Sequence, residues 1–358
     1  MGAGMAGLVS AYELSKLGHD VRVLEARTRP GGRVYTLREP FSDGLFAETG
    51  AARIPDTHNL TLKYVKEFNV PLEPFYPSTL NAVRFDRGSR EEVPIDGFTA
   101  AMTYHYGEEL GGKPSRWYKI KGGMDLLPKA IAEKLAGKIQ YGAAVVRIEQ
   151  DASEARVIFL SEGRSQTLAA DHVICTIPFS VLRKLELPAL SNRKKDVIKH
   201  TPYDGVSRVY LQTKNRFWEE KGLNGFAFTS GGIEIWQPTW DQPGPRGILM
   251  TYARAPEGER ITKLKEKDRI GTTLKQLNEI YPGLRENFER GVSKCWLEDE
   301  WSRGGWGIVS MTDFFTASVR EGRIHFAGEH LSPWFSWIQG AVSSALRVVQ
   351  EIDQTAPI

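Results

Sequence analysis

At 358 residues the chain exceeds the length at which one hydrophobic core usually keeps growing, so we expect two domains. Its 47 basic and 44 acidic side chains are mixed along the sequence, which argues against a nucleic-acid partner. No apolar run approaches the roughly 18 residues that span a bilayer and no signal peptide opens the chain, so we expect no membrane partner.

The chain opens with three glycines in Gly-x-Gly-x-x-Gly spacing, Gly2, Gly4 and Gly7. An apolar pattern at three-residue spacing follows and stops at Gly18, which predicts a helix, and a short apolar run then ends at Glu25. Such glycines let the backbone approach a pyrophosphate at the helix N-terminus, and a carboxylate about twenty residues later accepts the ribose hydroxyls. The opening therefore predicts a dinucleotide site.

The apolar strand that normally precedes such a turn is missing, because only Met1 stands before Gly2. Two explanations are open, a truncated start and a domain without its central strand, and we favour truncation. If Met1 is the true start, we expect the dinucleotide to bind poorly.

A second glycine turn places Gly31 and Gly32 directly before Arg33. The turn is either an ordinary loop or a second phosphate contact. We prefer the second interpretation, in which the guanidinium binds a phosphate oxygen and Gly32 gives it room.

A turn of small residues spans residues 48–55 and carries Arg53. Apolar residues at helical spacing follow it as far as Phe68. They predict a helix that is capped near Asp56 or Thr57.

The middle of the chain alternates between strand-like and helical patterns. Alternating polarity predicts a hairpin over residues 80–94. Residues 97–115 are expected to be irregular, with His105 a solvated loop residue rather than a catalytic base. Gly122 leads into another helix, and short strand-like runs fill residues 139–173.

The last part contains a second hairpin-rich region over residues 206–253 and a charged helix over residues 264–281. A strand over residues 323–327, a turn at residues 328–329 and a helix over residues 336–352 close the chain. A strand-and-helix opening and a strand-turn-helix ending thus enclose mainly antiparallel material.

This order indicates a dinucleotide domain that a second, substrate-binding domain interrupts. The expected fold class is α/β, α+β overall, with a Rossmann-like domain interleaved with a mainly antiparallel β-sheet domain. The dinucleotide domain is expected to comprise residues 1–40, 120–200 and 318–358, and the substrate domain residues 41–119 and 201–317.

Both cysteines, Cys175 and Cys295, lie in apolar stretches. They are expected to be small core residues rather than a disulfide framework or metal ligands. So little cysteine favours a cytoplasmic protein, although a lost N-terminal leader would leave no trace. The oligomeric state stays open, a homo-oligomer included.

Seven short motifs occur one after another along the chain: GAGMAGL at residues 2–8, VLEARTRPGGRV at 23–34, GAARIP at 50–55, IKGGMDLLP at 120–128, TIP at 176–178, HFAGEH at 325–330 and WIQGA at 337–341. In this order they resemble the flavin-containing amine oxidase family, and most of all its bacterial L-amino acid oxidases. The resemblance covers nearly the whole chain.

The resemblance implies an FAD cofactor at the two ends of the chain. The N-terminus of the last helix would stabilise the anion of the reduced flavin. Some relatives hold the flavin through a cysteine shortly after a Gly-Gly pair, but Trp306 follows Gly304 and Gly305, so non-covalent FAD is expected. The implied cofactor residues are Gly2, Gly4, Met5, Ala6, Glu25, Ala26, Arg27, Gly32, Arg33, Gly50, Ala51, Ala52, Arg53, Val145, Trp296, Gly328, Glu329, Trp337 and Ile338.

The family's chemistry implies oxidative deamination of L-amino acids by O2 to 2-oxo acids, ammonia and hydrogen peroxide. The alternatives are an oxidase of primary amines or polyamines and a flavin-binding protein with impaired turnover. The implied substrate residues are Arg53, Trp236, Ser336 and Trp337. Arg53 would pair with the substrate carboxylate, or instead with a flavin phosphate or a surface acid. Trp236 either contacts substrate or packs within a sheet.

Arg208 and Trp337 are the implied catalytic residues, and Arg208 departs from the family pattern. Most relatives carry a lysine there, bonded through water to the flavin, whereas an arginine keeps the charge but cannot give up its proton. We therefore expect reduction by substrate to persist and reoxidation to be altered.

In addition, residues 97–115 are too few for the long helical insertion that amino acid oxidases usually carry.

Overall fold

The computed structural model describes residues 1–107 and 113–354, in which helices and short strands alternate. The helices are α1 (Met5–Lys16), α2 (Asn59–Glu67), α3 (Ile95–His105), α4 (Leu126–Lys134), α5 (Phe179–Leu182), α6 (Asn192–His200), α7 (Glu257–Thr262), α8 (Glu266–Ile280), α9 (Leu284–Asn287), α10 (Phe314–Ser318) and α11 (Ile338–Asp353). The strands are β1 (Val23–Glu25), β2 (Thr36–Leu37), β3 (Ala47–Glu48), β4 (Ile54–Pro55), β5 (Leu72–Pro74), β6 (Asn81–Asp86), β7 (Ser89–Pro94), β8 (Trp117–Ile120), β9 (Ile139–Tyr141), β10 (Ala144–Gln150), β11 (Ala155–Ser161), β12 (Arg164–Ala170), β13 (Val173–Cys175), β14 (Ser207–Thr213), β15 (Leu223–Thr229), β16 (Glu234–Trp236), β17 (Gly247–Tyr252), β18 (Phe288–Cys295) and β19 (Ile324–Phe326).

Two parallel strand pairs, β1 with β9 and β13 with β19, lie on either side of the first two residues. Gly2 N donates to Leu24 O at 2.7 Å, and the Met1 ammonium donates to Ile174 O at 2.7 Å. Thr176 N donates in turn to Met1 O at 3.1 Å. Met1 and Gly2 thus connect the two pairs at the place where we expected a preceding strand, and α1 and α11 pack together beside them.

A second, larger sheet has seven strands in the order β18-β14-β17-β16-β15-β6-β7. Its neighbours are antiparallel except β15 and β6, which are parallel. Glu234 pairs with Tyr252, and the ladder between β14 and β17 sets Arg208 on the same face of the sheet. Trp236, two residues after Glu234, shares that face. The α/β class with a mainly antiparallel second sheet is therefore confirmed.

The prediction of an irregular segment over residues 97–115 is wrong for its first part, because α3 occupies it. Ile95, Phe98 and Met102 recur at helical spacing, and all three are buried. Burial of this apolar face outweighs the glycine content that suggested a loop. Residues 108–112 of the same segment lie outside the described residues.

Two smaller expectations also differ. His105 is exposed as expected, but it ends α3 instead of lying in a loop. The second helix begins at Asn59, later than a cap at Asp56 or Thr57 would give. Asp56 does not cap it, because its carboxylate accepts hydrogen bonds from the backbone N–H and the hydroxyl of Ser115.

No helix within residues 1–107 and 113–354 is long and apolar enough to cross a membrane. Cys175 and Cys295 are both buried and unpaired. Over the same ranges, no group of three or more histidine, cysteine or acidic side chains could hold a metal ion.

Candidate active site

A large cavity lies between the start of α1, the start of α11 and the seven-stranded sheet, and it measures about 1700 Å³ with the solvent at its mouth. The structure brings every site residue named from the sequence to its wall: Gly2, Gly4, Met5, Ala6, Glu25, Ala26, Arg27, Gly32, Arg33, Gly50, Ala51, Ala52, Arg53, Val145, Arg208, Trp236, Trp296, Gly328, Glu329, Ser336, Trp337 and Ile338.

At one end of the cavity the glycine turn presents the start of α1. A Cβ on Gly7 would lie 1.9 Å from Gly2 O, so this position has no room for a side chain. A Cβ on Gly4 would meet no protein atom within 4 Å. No side chain caps α1 and its first turn carries no acidic residue, so its free N–H groups suit an anion such as a pyrophosphate.

Glu25 is held at the end of β1 by two backbone donors. Ala3 N–H donates to Oε2 at 2.6 Å, and Arg27 N–H donates to Oε1 at 2.8 Å. The residue is buried against protein but lines the cavity. Its remaining lone pairs are therefore placed to accept hydroxyl groups of a ligand.

The two arginines near this end have acidic partners. Arg33 Nη1 donates to Glu329 Oε1 at 2.8 Å and to Gly305 O at 2.7 Å. Arg27 donates to both carboxylate oxygens of Asp299. These contacts fix both guanidiniums at the cavity wall. A phosphate bound to Arg33 would therefore contact a guanidinium that is also paired with Glu329.

Arg208 lies buried on the sheet face beneath the cavity. Its Nη1 donates to Glu48 O at 2.8 Å, while Nε has no hydrogen-bond partner in the described part of the chain. The guanidinium carbon lies 4.8 Å from the ring centroid of Tyr252 and 5.1 Å from that of Trp236. Arg208 therefore brings to this face a positive charge with no ion-pair partner among residues 1–107 and 113–354.

Next to Arg208, the Glu48 carboxyl accepts hydrogen bonds from the Thr36 hydroxyl at 2.9 Å and from Met124 N–H at 2.9 Å. Removal from solvent raises the pKa of Glu48 to about 7, although these hydrogen bonds and the charge of Arg208 oppose the rise. The folded protein thus holds this proton more tightly than the unfolded chain does.

We expect this proton to make stability depend on pH. The unfolded carboxyl ionises near its ordinary pKa of 4.5 and the folded one only near 7, so the free energy of unfolding falls as the pH rises between these values. Glu48→Gln carries no such proton. The free energy of unfolding of this variant, taken relative to the wild type, should therefore rise by about 2–3 kcal/mol between pH 4.5 and pH 8. Denaturant unfolding at both pH values measures this, with the exposed Glu91→Gln as control. A gain that does not change with pH would contradict the assignment.

Arg53 stands in an aromatic box on the cavity wall. Its guanidinium carbon lies 4.5 Å from the ring centroid of Tyr106 and 4.9 Å from that of Trp236. Nη1 donates to Glu234 Oε2 at 3.2 Å and to the Tyr76 hydroxyl at 3.1 Å. Nε and Nη2 have no hydrogen-bond partner among the described residues. One nitrogen of the guanidinium is thus fixed, and the others are left for a ligand.

Glu234 is a buried carboxylate that accepts hydrogen bonds from three side chains of the cavity wall: Arg53, the Tyr106 hydroxyl and, at 2.9 Å, Trp236 Nε1. Burial alone would raise the pKa of Glu234, but the charge of Arg53 and these hydrogen bonds lower it. Burial would likewise lower the pKa of Arg53, and Glu234 instead raises it well above its usual value. Both members of the pair are therefore ionised.

Trp337 precedes α11 and lines the cavity. Its rings contact those of His58 and Tyr106, with centroids 5.0 and 6.4 Å apart. Ser336 N–H, one residue earlier, donates to Glu329 Oε2 at 3.1 Å. No side chain caps α11, so a second positive helix end faces the cavity.

Glu234, Tyr106 and Tyr252 belong to this site although the sequence did not single them out. Glu234 stands two residues before Trp236, so alternation along the strand could have placed the two on one face. Tyr106 follows a helix that the sequence pattern did not reveal. Tyr252 reaches the site only through the register of the sheet, which no local pattern shows.

The glycine turn at the uncapped start of α1 and the carboxylate at the end of β1 form an arrangement typical of dinucleotide-binding sites. The sequence matches the family "Flavin containing amine oxidoreductase" over residues 5–110 and 95–353. The chain belongs to this family, which confirms the resemblance and implies a flavin cofactor. The two matched segments overlap at residues 95–110, which covers most of the region, residues 97–115, where we expected a shortened insertion.

Individual relatives agree with this membership. The chain is 30% identical to the flavin-dependent L-tryptophan oxidase RebO of Lentzea aerocolonigenes, over 99% of this chain and 97% of that protein. It is 24% identical to an L-amino-acid oxidase of Gloydius blomhoffii, over 99% of this chain and 88% of that protein. Its fold is similar to that of cyclohexylamine oxidase from Brevibacterium oxydans IH-35A, with a TM-score of 0.83, 19% identity and coverage of 99% and 98%.

Proposed function

We propose that this chain is an FAD-dependent oxidase of L-amino acids, which forms a 2-oxo acid, ammonia and hydrogen peroxide from the amino acid, water and O2. The observation that carries the proposal is Arg53, whose guanidinium lies buried at the cavity with two nitrogens uncommitted among the described residues. A guanidinium edge binds a carboxylate through two parallel hydrogen bonds. The similarity to L-tryptophan and L-amino-acid oxidases supports the same substrate class.

The proposed FAD is bound without a covalent link. Its ADP half would lie along the start of α1 and Glu25, and its flavin near Arg208, Trp296 and the start of α11. When bound, it supplies the two-electron oxidant for the carbon that bears the amine. Among the described residues no cysteine lines the cavity, and Trp306 lines it after the Gly-Gly pair, which supports non-covalent binding.

A substitution at Gly4 tests this placement of the cofactor. Gly4→Ala adds a methyl group into open space with an extended backbone, so the apoprotein should melt within about 2 °C of the wild type. The same methyl group stands where the pyrophosphate would approach the backbone, so FAD should bind at least tenfold more weakly, as roughly 1.4 kcal/mol of lost contact would give. Titration of apoprotein with FAD measures the affinity.

The control for Gly4→Ala is Gly271→Ala. Gly271 lies in α8, is exposed, does not line the cavity and also has open space around its Cβ position. This variant should bind FAD as the wild type does. Equal FAD affinity in both variants would show that the cofactor does not lie along the glycine turn.

In the proposed reaction the protein holds the substrate and excludes water. Arg53 would bind the carboxylate, and Trp236, Tyr252 and Trp337 would form the walls around the α-carbon. The Trp236 and Tyr252 rings lie 4.9 Å apart, tilted by 37°, which makes a continuous apolar surface. Arg208 would stabilise negative charge that develops at the cofactor, as a fixed cation that does not transfer a proton.

The charges on the sheet face also favour a carboxylate substrate. Arg53 and Glu234 neutralise each other, and Arg208 has no acidic ion-pair partner among the described residues. An amino acid with a neutral amine carries one negative charge, which would balance this cation. An uncharged monoamine supplies no such charge, and among the described residues Arg208 is then offset only by Glu48, which is partly protonated near its pKa of about 7.

A second candidate is an oxidase of primary amines. The observation that favours it is Glu234, which already supplies a carboxylate to Arg53 and reduces the need for one from the substrate. In this case Arg53 would only support the aromatic box.

Peroxide formation by the flavin-loaded protein separates the two candidates. The substrates are the twenty L-amino acids and the corresponding decarboxylated amines, and heat-released flavin identifies the cofactor. Peroxide formed with L-amino acids supports the proposal. Peroxide formed only with amines overturns it in favour of the second candidate.

A further inference from the structure

We propose that Glu234 determines how tightly the site holds a carboxylate, because it competes with the bound carboxylate for the Arg53 guanidinium. The inference rests on the proposed function, in which Arg53 binds the substrate carboxylate. Glu234 does not line the cavity and is 2% exposed, so it acts on the substrate through its neighbours. It is a specificity-determining residue rather than a catalytic one.

The contacts of Glu234 place it directly behind the substrate wall. Its Oε2 lies 3.2 Å from Arg53 Nη1 and accepts Trp236 Nε1–H at 2.9 Å, while Oε1 accepts the Tyr106 hydroxyl. These three partners come from different segments of the chain, and all of them line the cavity. No other carboxylate within residues 1–107 and 113–354 forms an ion pair with Arg53. Glu234 is therefore the internal counterion of the guanidinium.

A carboxylate at this distance weakens the net electrostatic attraction of Arg53 for a second carboxylate. Two carboxylates on opposite edges of one guanidinium repel each other, and burial leaves that repulsion poorly screened by water. Binding of a carboxylate ligand is thus weakened more than binding of an uncharged ligand of the same shape. The 2-oxo acid product keeps the carboxylate of the amino acid, so the same competition would speed its release.

Binding of benzoate and benzamide to the flavin-loaded protein tests this inference. The two ligands have nearly the same shape, but only benzoate is charged. Glu234→Gln removes the competing charge and keeps an oxygen that accepts hydrogen bonds. We expect this variant to bind benzoate at least about tenfold more tightly than the wild type and benzamide within about twofold.

Tyr76→Phe is the matched control, because it removes the other hydrogen bond of Arg53 Nη1 and leaves the ion pair in place. Tyr76 is buried and does not line the cavity. The benzoate affinity of Tyr76→Phe should stay within about twofold of that of the wild type, since a neutral hydrogen bond carries no competing charge. Glu234→Asp keeps the charge but withdraws it by one methylene, and it should tighten benzoate binding about two- to threefold even if Glu234→Gln does not fold.

The outcomes separate this inference from the proposed function. If Glu234→Gln, in which no charge competes for Arg53, bound benzoate no better than benzamide, Arg53 would be no carboxylate site, and the proposed function would fail with the inference. A wild type that prefers benzoate, combined with variants of Glu234 that do not tighten it, would overturn the competition alone. Equal weakening of both ligands in Glu234→Gln would show that Glu234 only supports the wall, which also overturns it.

Discussion

The double variant Arg53→Met with Glu234→Gln is expected to lower kcat/KM for the best L-amino acid about 30- to 100-fold, because a bidentate bond to a charged group contributes roughly 2–3 kcal/mol. The decarboxylated amine has nothing to bind at Arg53, so its kcat/KM should change by less than about threefold. Both charges are removed together, because Glu234, which does not line the cavity, would otherwise be a buried carboxylate without its partner. Gln keeps an acceptor for Tyr106 and Trp236. Initial rates of peroxide formation measure both constants.

Glu234→Gln alone is the control for this variant, since it keeps Arg53 and should retain the preference for the amino acid. If the double variant lost amino acid and amine activity equally, collapse of the aromatic box would explain the loss. Carboxylate binding by Arg53 would then be contradicted. Full activity of the double variant toward the amino acid would contradict carboxylate binding by Arg53 directly.

Arg208→Lys is expected to change the second half of the reaction. A lysine keeps the charge and, when buried, releases its proton more readily than an arginine, which stays protonated. Proton transfer by a positioned group contributes roughly 10²–10⁴-fold to a rate, so the variant should react with O2 at least tenfold faster after anaerobic reduction. Reduction by substrate should stay within about threefold of the wild type. Stopped-flow mixing measures the two steps separately.

Tyr210→Phe controls for the surroundings of Arg208. The Tyr210 hydroxyl donates to Glu48 O at 2.8 Å, the same oxygen that Arg208 binds, but the residue does not line the cavity. Loss of this hydroxyl should leave the rate of the reaction with O2 within about twofold of the wild-type rate, because no charge is removed. Identical rates with O2 for Arg208→Lys and the wild type would show that the arginine does not limit this step.

Local sequence patterns were sufficient for the parts of the site that local backbone geometry defines. The glycine turn, α1 and Glu25 at the end of β1 follow one another within one short helix-strand stretch, where spacing alone places a carboxylate beside a helix end. The turn at Arg53 and the start of α11 were likewise found from short motifs. Because the motifs are far apart, it was their common order along the chain, rather than any single motif, that indicated one shared cavity.

The sequence could not show contacts that depend on distant segments. Glu234 meets Arg53 across 181 positions, and Tyr106 meets Glu234 across 128. No periodicity within a strand or helix specifies such a pair, since it depends on how the sheet packs against α3 and the turn at Arg53. The helix α3 was missed for a related reason, because its stability comes from burying one apolar face rather than from local propensity.

The most direct test of the account is the ratio of kcat/KM for the best L-amino acid to kcat/KM for its decarboxylated amine, measured by peroxide formation with the flavin-loaded wild type. An arginine that binds the substrate carboxylate predicts a ratio of at least about ten, because a site built to bind a charged group discriminates against a substrate that lacks it. A ratio of one or less would contradict the account and assign the chain to the amine oxidases instead.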